Sequence, residues 1–280
     1  MTGSAGDAPR PGHLLVRRPS PALADGELTH LDREPVDAEL ALRQWQGYVD
    51  AFAGHGWTVH QVEPVDDHPD GVFVEDTVVV FDDLAVLTSP GAASRRGEMP
   101  STEAALAALP TALRPQLARI DEPGHLDGGD VLKIGRTAYV GLGTRTDEAG
   151  IAQLATLLEP RGWQVVAVPV TKVLHLKSGV TALPDGTVVG FPPLVDDVGV
   201  YARFLAVPEE HGTAVVDLGV SSDGRRAVIM SADAPRTAEL YAARGLEVVP
   251  VPITEFEKLE GCVTCLSVRL RRTNESAISA

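Results

Sequence analysis

The stretch VLKIGRTAYVGLGTRTDEAGIAQLATLLEPRGWQVVAVP, residues 131–169, holds one full unit of the pattern that organises this chain. Residues 131–134 and 137–141 are apolar runs with β-branched and aromatic members, separated by Gly135 and Arg136, the spacing of a tight hairpin. Residues 148–158 follow with apolar side chains at three- and four-residue steps, which predicts a helix with one face against a core. Residues 163–169 then return to a strand-like run closed by proline. The unit reads strand, turn, strand, helix, strand.

Outward from this unit the same order recurs. Strand-like runs stand at 57–64, 117–123, 213–219 and 246–252, and helical periodicity at 37–55, 102–109 and 234–244. A second hairpin pairs 77–81 with 84–88 across Asp82 and Asp83. Five similar runs predict five similar units with a period of roughly fifty residues, the upper end of what marks a closed array of repeats. A ring of such units is an α/β fold in which the start of every unit lies near one axis. Sites distant in sequence then converge. Pro and Gly are scattered singly and never form a long polar tract, so one domain is expected over 1–280, with the first twelve residues a disordered tail on their Gly, Pro and Ala content.

The composition narrows the partners. Thirty-nine Asp and Glu outweigh 24 Lys and Arg, a formal charge of −15, so a polyanion has no electrostatic reason to bind. Nucleic acid and anionic membrane are excluded as expected partners, and a small cation suits the chain better. The N-terminal residues lack the apolar run of a signal peptide, and no later stretch reaches the roughly 18 apolar residues of a transmembrane helix. A cytoplasmic location is expected. Two cysteines, Cys262 and Cys265, exclude a disulfide scaffold and a four-cysteine zinc site. Their C-x-x-C spacing would signal thioredoxin-like chemistry at the start of a helix. Here residues 263–270 read instead as a short β segment after Gly261, which makes Cys262 a small apolar filler.

Cys265 is the more informative of the two. A thiol is already a few per cent thiolate near neutral pH and is intrinsically very nucleophilic, and three polar clusters could serve it: DGVFVED at 70–76, HLDGGD at 125–130 and LHLKS at 174–178. In extended geometry the neighbours Glu75 and Asp76 diverge, so one aims into a pocket while the other braces its wall. Asp127 precedes two glycines that allow close backbone approach or positive φ. His175 and Lys177 share a strand face. Taken singly, each also has an ordinary reading: solvated carboxylates, a turn, a satisfied histidine.

In combination they resemble a known family. The segments at 73–98 (FVEDTVVVFDDLAVLTSPGAASRRGE) and 126–150, with LHLKS and LEGCVTCLSV, resemble in order and spacing the dimethylarginine dimethylaminohydrolases of the guanidine-modifying, or pentein, superfamily. The resemblance runs from about Leu14 to Leu270 and implies a five-bladed α/β propeller of ββαβ pseudo-repeats, in agreement with the recurring units. It implies a triad of Cys265, His175 and Asp127 acting on a small guanidinium substrate without a metal or other cofactor, through a Cys-linked thiouronium, to give citrulline and an amine. It further implies that Asp76, assisted by Glu75, binds the guanidinium. Arg95 and Arg145 would take the α-carboxylate, and Asp70, with carbonyls around Leu28 and Leu259, the α-ammonium. Arg95 has a competing reading as the i,i+3 partner of Glu98. Cys262 stands where relatives usually carry an aliphatic residue, and Glu260 where some carry Asp. The rival readings are an arginine deiminase, an amidinotransferase and a non-enzymatic binding propeller; the last has no need of a thiol, an imidazole and a carboxylate together.

Overall fold

The computed structural model describes residues 12–221 and 223–270. The expected N-terminal tail lies outside the described residues except for Gly12. Fifteen short strands pair into five three-stranded sheets. The sheets draw on β1 (His13–Arg17) and β2 (Thr58–Val62); β3 (Val78–Phe81), β4 (Leu84–Leu87) and β5 (Gln116–Arg119); and β6 (Val131–Ile134), β7 (Thr137–Leu142) and β8 (Gln164–Pro169). They continue with β9 (Val180–Ala182), β10 (Val188–Gly190) and β11 (Phe204–Ala206), then β12 (Val215–Val220), β13 (Arg226–Ser231) and β14 (Glu247–Val251). The last strand, β15 (Val268–Leu270), pairs antiparallel with β1, His13 opposite Leu270, and so completes the first blade from the far end of the chain.

Every blade obeys one rule: its first strand is antiparallel to its second, and its second is parallel to its third. The parallel step needs a crossover, and in four blades a helix supplies it: α1 (Ala38–Gly54), α2 (Met99–Ala108), α3 (Glu148–Leu158) and α5 (Pro235–Ala243). Two single-turn helices, α4 (Leu176–Gly179) and α6 (Thr254–Glu257), precede β9 and follow β14. Asp37 and Asp147 cap α1 and α3 by accepting the amides of Leu40 and Gly150. The fourth blade crosses over through two 3-10 turns, Pro192–Leu194 and Val198–Val200.

Burial on two faces makes the ring close. In β3, which reads VVVF and is buried throughout, Val78 and Val80 enter one apolar cluster while Val79 and Phe81 enter the next. Strand side chains alternate sides, so such a strand is satisfied only between two neighbours. Five clusters result, one at each contact between successive blades, and the one holding Leu14, Val216 and Ile229 joins the fifth blade to the first. The first strands of all five blades surround a channel of about 740 Å³.

The expected ring is therefore observed, with two corrections. The run at 213–219 corresponds to β12, a first strand, whereas 57–64, 117–123, 163–169 and 246–252 correspond to third strands. The true counterpart in the fourth blade, β11, has three residues, none fully buried, too short for a pattern to register. Residues 263–266 form a turn, so the expected β segment shrinks to β15. Among the described residues no helix is long and apolar enough to cross a membrane.

Phe81 joins the second and third blades, 1% exposed and edge-on to Trp163 at 5.0 Å between ring centroids. Phe81→Ala is expected to cost about 3–5 kcal/mol, read as a lower urea midpoint. A loss below about 1 kcal/mol would mean that the blades are not held by this contact.

Candidate active site

Segments between the strands, brought together by the ring, supply the polar side chains. Residues 69–77 form two consecutive 3-10 turns, Pro69–Val72 and Val74–Thr77, in place of the expected strand entrance. Successive side chains on such a turn point about 120° apart, so Glu75 and Asp76 separate as their adjacency suggested. Asp76 faces the cleft. Glu75 turns to the central channel, where its Oε1 accepts from Lys177 Nζ at 2.5 Å and its Oε2 is buried without a hydrogen-bond partner. The structure therefore does not bring Glu75 to the cleft beside Asp76.

The glycine pair after Asp127 is required by space. A Cβ on Gly128 would lie 2.0 Å from the Glu75 carbonyl oxygen, and one on Gly129 would lie 2.7 Å from His175 Nδ1. Neither glycine has positive φ, so close approach is the reason for both. Gly129 N–H donates to Asp76 Oδ1 at 2.8 Å. Asp127 accepts from Gly91 N at 3.0 Å with Oδ1 and lies 2.9 Å from His175 Nε2 with Oδ2. His175 is the N-cap residue of α4 and not part of a strand. Asp130 accepts the Leu176 amide at 2.8 Å and the Thr146 hydroxyl at 2.6 Å, which fixes the backbone beside His175.

Cys265 lies in the turn before β15. Its amide donates to the Cys262 carbonyl at 3.1 Å and its carbonyl accepts from Glu75 N at 3.2 Å. Tyr48, wholly buried on α1, donates through its hydroxyl to the Val263 carbonyl at 2.8 Å and lies 2.7 Å from Ser267 Oγ. The turn is thus held on both sides of the thiol.

One narrow cavity, with about 20 Å³ of open space, collects these groups. Cys265, His175, Asp76, Asp70, Arg95, Arg145 and Leu259 all line it, together with Glu27, Glu260 and Gly261. Asp127 stands behind His175 with no exposure, and Leu28 packs against the neighbouring apolar cluster. Arg95 Nη1 donates to Asp76 at 2.5 Å, its Nε and Nη2 donate to Glu98 at 2.9 and 2.8 Å, and Nη2 also reaches the carbonyls of Asp70 and Phe73. The i,i+3 pair with Glu98 exists, but it is buried, with side-chain exposures of 6% and 1%. One hydrogen on Nη1 remains for a ligand.

Sequence patterns did not disclose Glu27 or Arg17. Glu27 Oε2 accepts from Arg145 at 3.0 Å, and its amide donates to Asp70 at 3.1 Å. Glu260, at φ 59°, accepts through Oε1 the amides of Thr29, His30 and Leu31, which fastens residues 29–31 beside the cavity. An isolated Glu in a polar loop carries no signal that a pattern could reveal.

The charges are strongly coupled. Burial opposes a charged His175, but Asp76, the bond to Asp127 and Asp130 outweigh it and raise the imidazole to about 9. Burial likewise opposes the Asp76 carboxylate, yet His175 and Arg95 bring it down to about 2. The Cys265 thiol is pushed well above its usual range by its hydrogen bond with Cys262, then by burial and the nearby negative charges of Glu75 and Asp76. Asp76, Asp127 and His175 are close enough to share a metal ion. An ion there would compete with Arg95 and with the proton between His175 and Asp127.

Residues 56–219 match the family model described as arginine deiminase. The chain is 59% identical to the N(G),N(G)-dimethylarginine dimethylaminohydrolase of Streptomyces coelicolor, over 92% of this chain and 96% of that one. It is 34% identical to the Pseudomonas aeruginosa protein of the same name, covering 92% and 98% of the two chains. A solved structure of the Pseudomonas aeruginosa enzyme, a cysteine-to-serine mutant complexed with citrulline, superposes with a TM-score of 0.81 at 31% identity and covers 93% of this chain and 99% of that one.

The His175 shift has a measurable sign. Because the imidazole is raised from 6.5 to about 9, its charge contributes stability that is complete below about pH 6.5 and lost as pH rises through about 9. An NMR titration of His175 is expected to show a midpoint near 9, and Asp127→Asn is expected to lower it by about 1–3 units. A wild-type midpoint below 7 contradicts the geometry.

Proposed function

Because the chain belongs to the dimethylarginine dimethylaminohydrolase family and hydrolyses N-methylated arginines to citrulline with release of dimethylamine or methylamine, we propose that Cys265 is its nucleophile, His175 its acid and base, and Asp127 the group that holds the imidazole. The observation that carries this reading is the meeting of thiol, imidazole and Asp76 on one cavity wall, with Asp127 2.9 Å behind the imidazole.

The roles follow from the charges. In the free site the thiol is neutral and the imidazole charged, which suits a cationic substrate. A guanidinium bound to Asp76 places positive charge beside Cys265 and stabilises its thiolate, the thiol proton leaving to solvent because the imidazole is already charged. Both Asp76 oxygens already accept one hydrogen bond, from Arg95 and Gly129, and each retains a lone pair for the planar cation. Glu75, turned to Lys177, contributes charge to this field and no direct bond.

The thiolate attacks the guanidinium carbon and forms a C–S bond. Protonated His175 then gives its proton to the methylated nitrogen, the C–N bond breaks, and the amine leaves a thiouronium on Cys265. Water attacks that carbon while neutral His175 takes its proton, and collapse of the adduct expels the sulfur and yields citrulline. Asp127 keeps the imidazole oriented and favours its charged form throughout. At the amino-acid end, Arg145 receives the α-carboxylate in place of Glu27, and Asp70 with the carbonyls near Leu28 and Leu259 receives the α-ammonium. Arg95 serves chiefly by bracing Asp76, since most of its donors are committed to the protein. We read the enzyme as one catalytic domain working in the cytoplasm, a compartment in which the two free cysteines can be returned to thiols after oxidation.

Purified protein incubated with asymmetric dimethylarginine in the presence of a chelator is expected to yield citrulline and dimethylamine, scored by mass spectrometry. Preferential release of ammonia from unmethylated arginine would favour the arginine deiminase reading instead. Cys265→Ser is expected to lower turnover by on the order of 10³ or more while leaving the circular dichroism spectrum unchanged; near-normal rates would remove the cysteine from its role. Arg145→Ala is expected to raise KM about tenfold or more with kcat little changed, because a lost carboxylate contact acts in ground and transition states alike.

A further inference from the structure

The C-x-x-C pair is not explained by hydrolysis. Only Cys265 lines the catalytic cavity, yet the Cys262 sulfur lies 3.4 Å from the Cys265 sulfur. The hydrogen bond from the Cys265 amide to the Cys262 carbonyl closes residues 262–265 into a turn, which holds the two α-carbons within about 7 Å, the span a disulfide bridges. Bonding distance is about 2.05 Å, so the sulfurs have roughly 1.4 Å to close. The turn belongs to no helix or strand, and closing that gap breaks no ladder of hydrogen bonds.

The two sulfurs also open onto different spaces. Cys265 lines the narrow catalytic cavity, whereas Cys262, half-buried, lines an adjoining cavity of about 470 Å³ with Lys172, Ser178 and His211 among its walls, the two sharing Leu174, Glu260 and Gly261. A small thiol or peroxide held in the larger cavity lies against Cys262 and not against the groups that bind the guanidinium. Cys262 has no carboxylate or imidazole bonded to it; its contacts are Thr264 Oγ1 at 3.3 Å and the other sulfur.

We propose that Cys262 and Cys265 form a reversible disulfide that takes the nucleophile out of the reaction and protects it from irreversible oxidation, an inference that rests on Cys265 being the nucleophile. The oxidant is a hydroperoxide. One cysteine thiolate attacks the peroxide, the O–O bond breaks, an alcohol or water leaves, and a sulfenic acid remains. The second sulfur attacks the sulfenic sulfur, and its thiol proton leaves with the expelled hydroxide as water. In sum two thiols lose two hydrogens and two electrons, and the peroxide is reduced to an alcohol and water. Whichever sulfur reacts first, the product is the same. Recovery runs by exchange: an external thiolate attacks Cys262 from the 470 Å³ cavity, Cys265 departs as a thiolate, and a second thiol frees Cys262.

The test uses the full chain and hydrogen peroxide. Wild-type protein treated with peroxide and then with an alkylating agent is expected to lose two hydrogens in its intact mass, to resist alkylation, and to give a 262–265 linkage on peptide mapping. Activity should fall in step and return on addition of dithiothreitol. Cys262→Ser is expected to keep untreated activity within about twofold. After the same peroxide exposure it should recover at least about fivefold less activity than wild type, because Cys265 proceeds to the sulfinic acid. If Cys262→Ser folds poorly, Cys262→Ala is read in the same way. Equal recovery in wild type and variant, or peroxide-treated wild type without the linkage, overturns the proposal. The linkage is read by mass alone, so a Cys265→Ser variant that still turns over substrate would defeat the nucleophile assignment separately.

Discussion

A chain of alternating buried charges holds the site together. Arg17 of β1, fully buried, reaches the Glu98 carboxylate at 3.6 Å, Glu98 grips Arg95, Arg95 holds Asp76, and Asp76 lies 3.9 Å from the imidazole of His175, which in turn meets Asp127. Each member is costly to bury alone, and removal of one partner typically costs about 3–5 kcal/mol because a charge is left uncompensated. The chain runs from the first blade through the second to the loops of the third and fourth. It ties the positions of His175 and Asp76 to the packing of the blades, and the precision of the site is inherited from the ring.

That dependence explains what could be read from the residues and what could not. The blades were legible because their strands are apolar on two faces and recur at a steady interval, as in β3 and β7. The fourth blade was the exception, since β9, β10 and β11 have three residues each and its crossover lacks a helix. Cys265, His175 and Asp127 stood out because thiol, imidazole and Gly-flanked carboxylate have chemistry that survives inspection without coordinates. Arg17, Tyr48 and Glu27 did not, because their importance arises from burial and from partners that lie far off in the chain, such as Tyr48 with Val263. The divergence of Glu75 and Asp76 followed from adjacency, but its directions were set by a 3-10 turn that no periodicity announced.

The electrostatic setting favours one kind of ligand. Asp70 and Asp76 meet the cavity, Asp127 and Asp130 stand just behind it, and the cations among them, Arg95 and His175, are already paired. A planar cation entering this space finds acceptors with spare lone pairs, while an anion finds one remaining donor on Arg95 and Arg145, presently engaged with Glu27. The cavity is narrow, with about 20 Å³ of open space. Glu27 and residues 29–31 border this space and are held by hydrogen bonds to Asp70, Arg145 and Glu260.

The strand that closes the first blade, β15, begins three residues after the thiol. A polypeptide emerging from the ribosome therefore carries the other two strands of the first blade, all strands of the other four, the imidazole and every carboxylate of the cleft before it acquires either the sulfur or the strand that seals the circle. Pairing of such distant segments is slow and comes late. On the proposed role of Cys265, chemical competence and topological completion are a single event: a nascent chain that still lacks β15 has only just acquired, or still lacks, the sulfur proposed to attack.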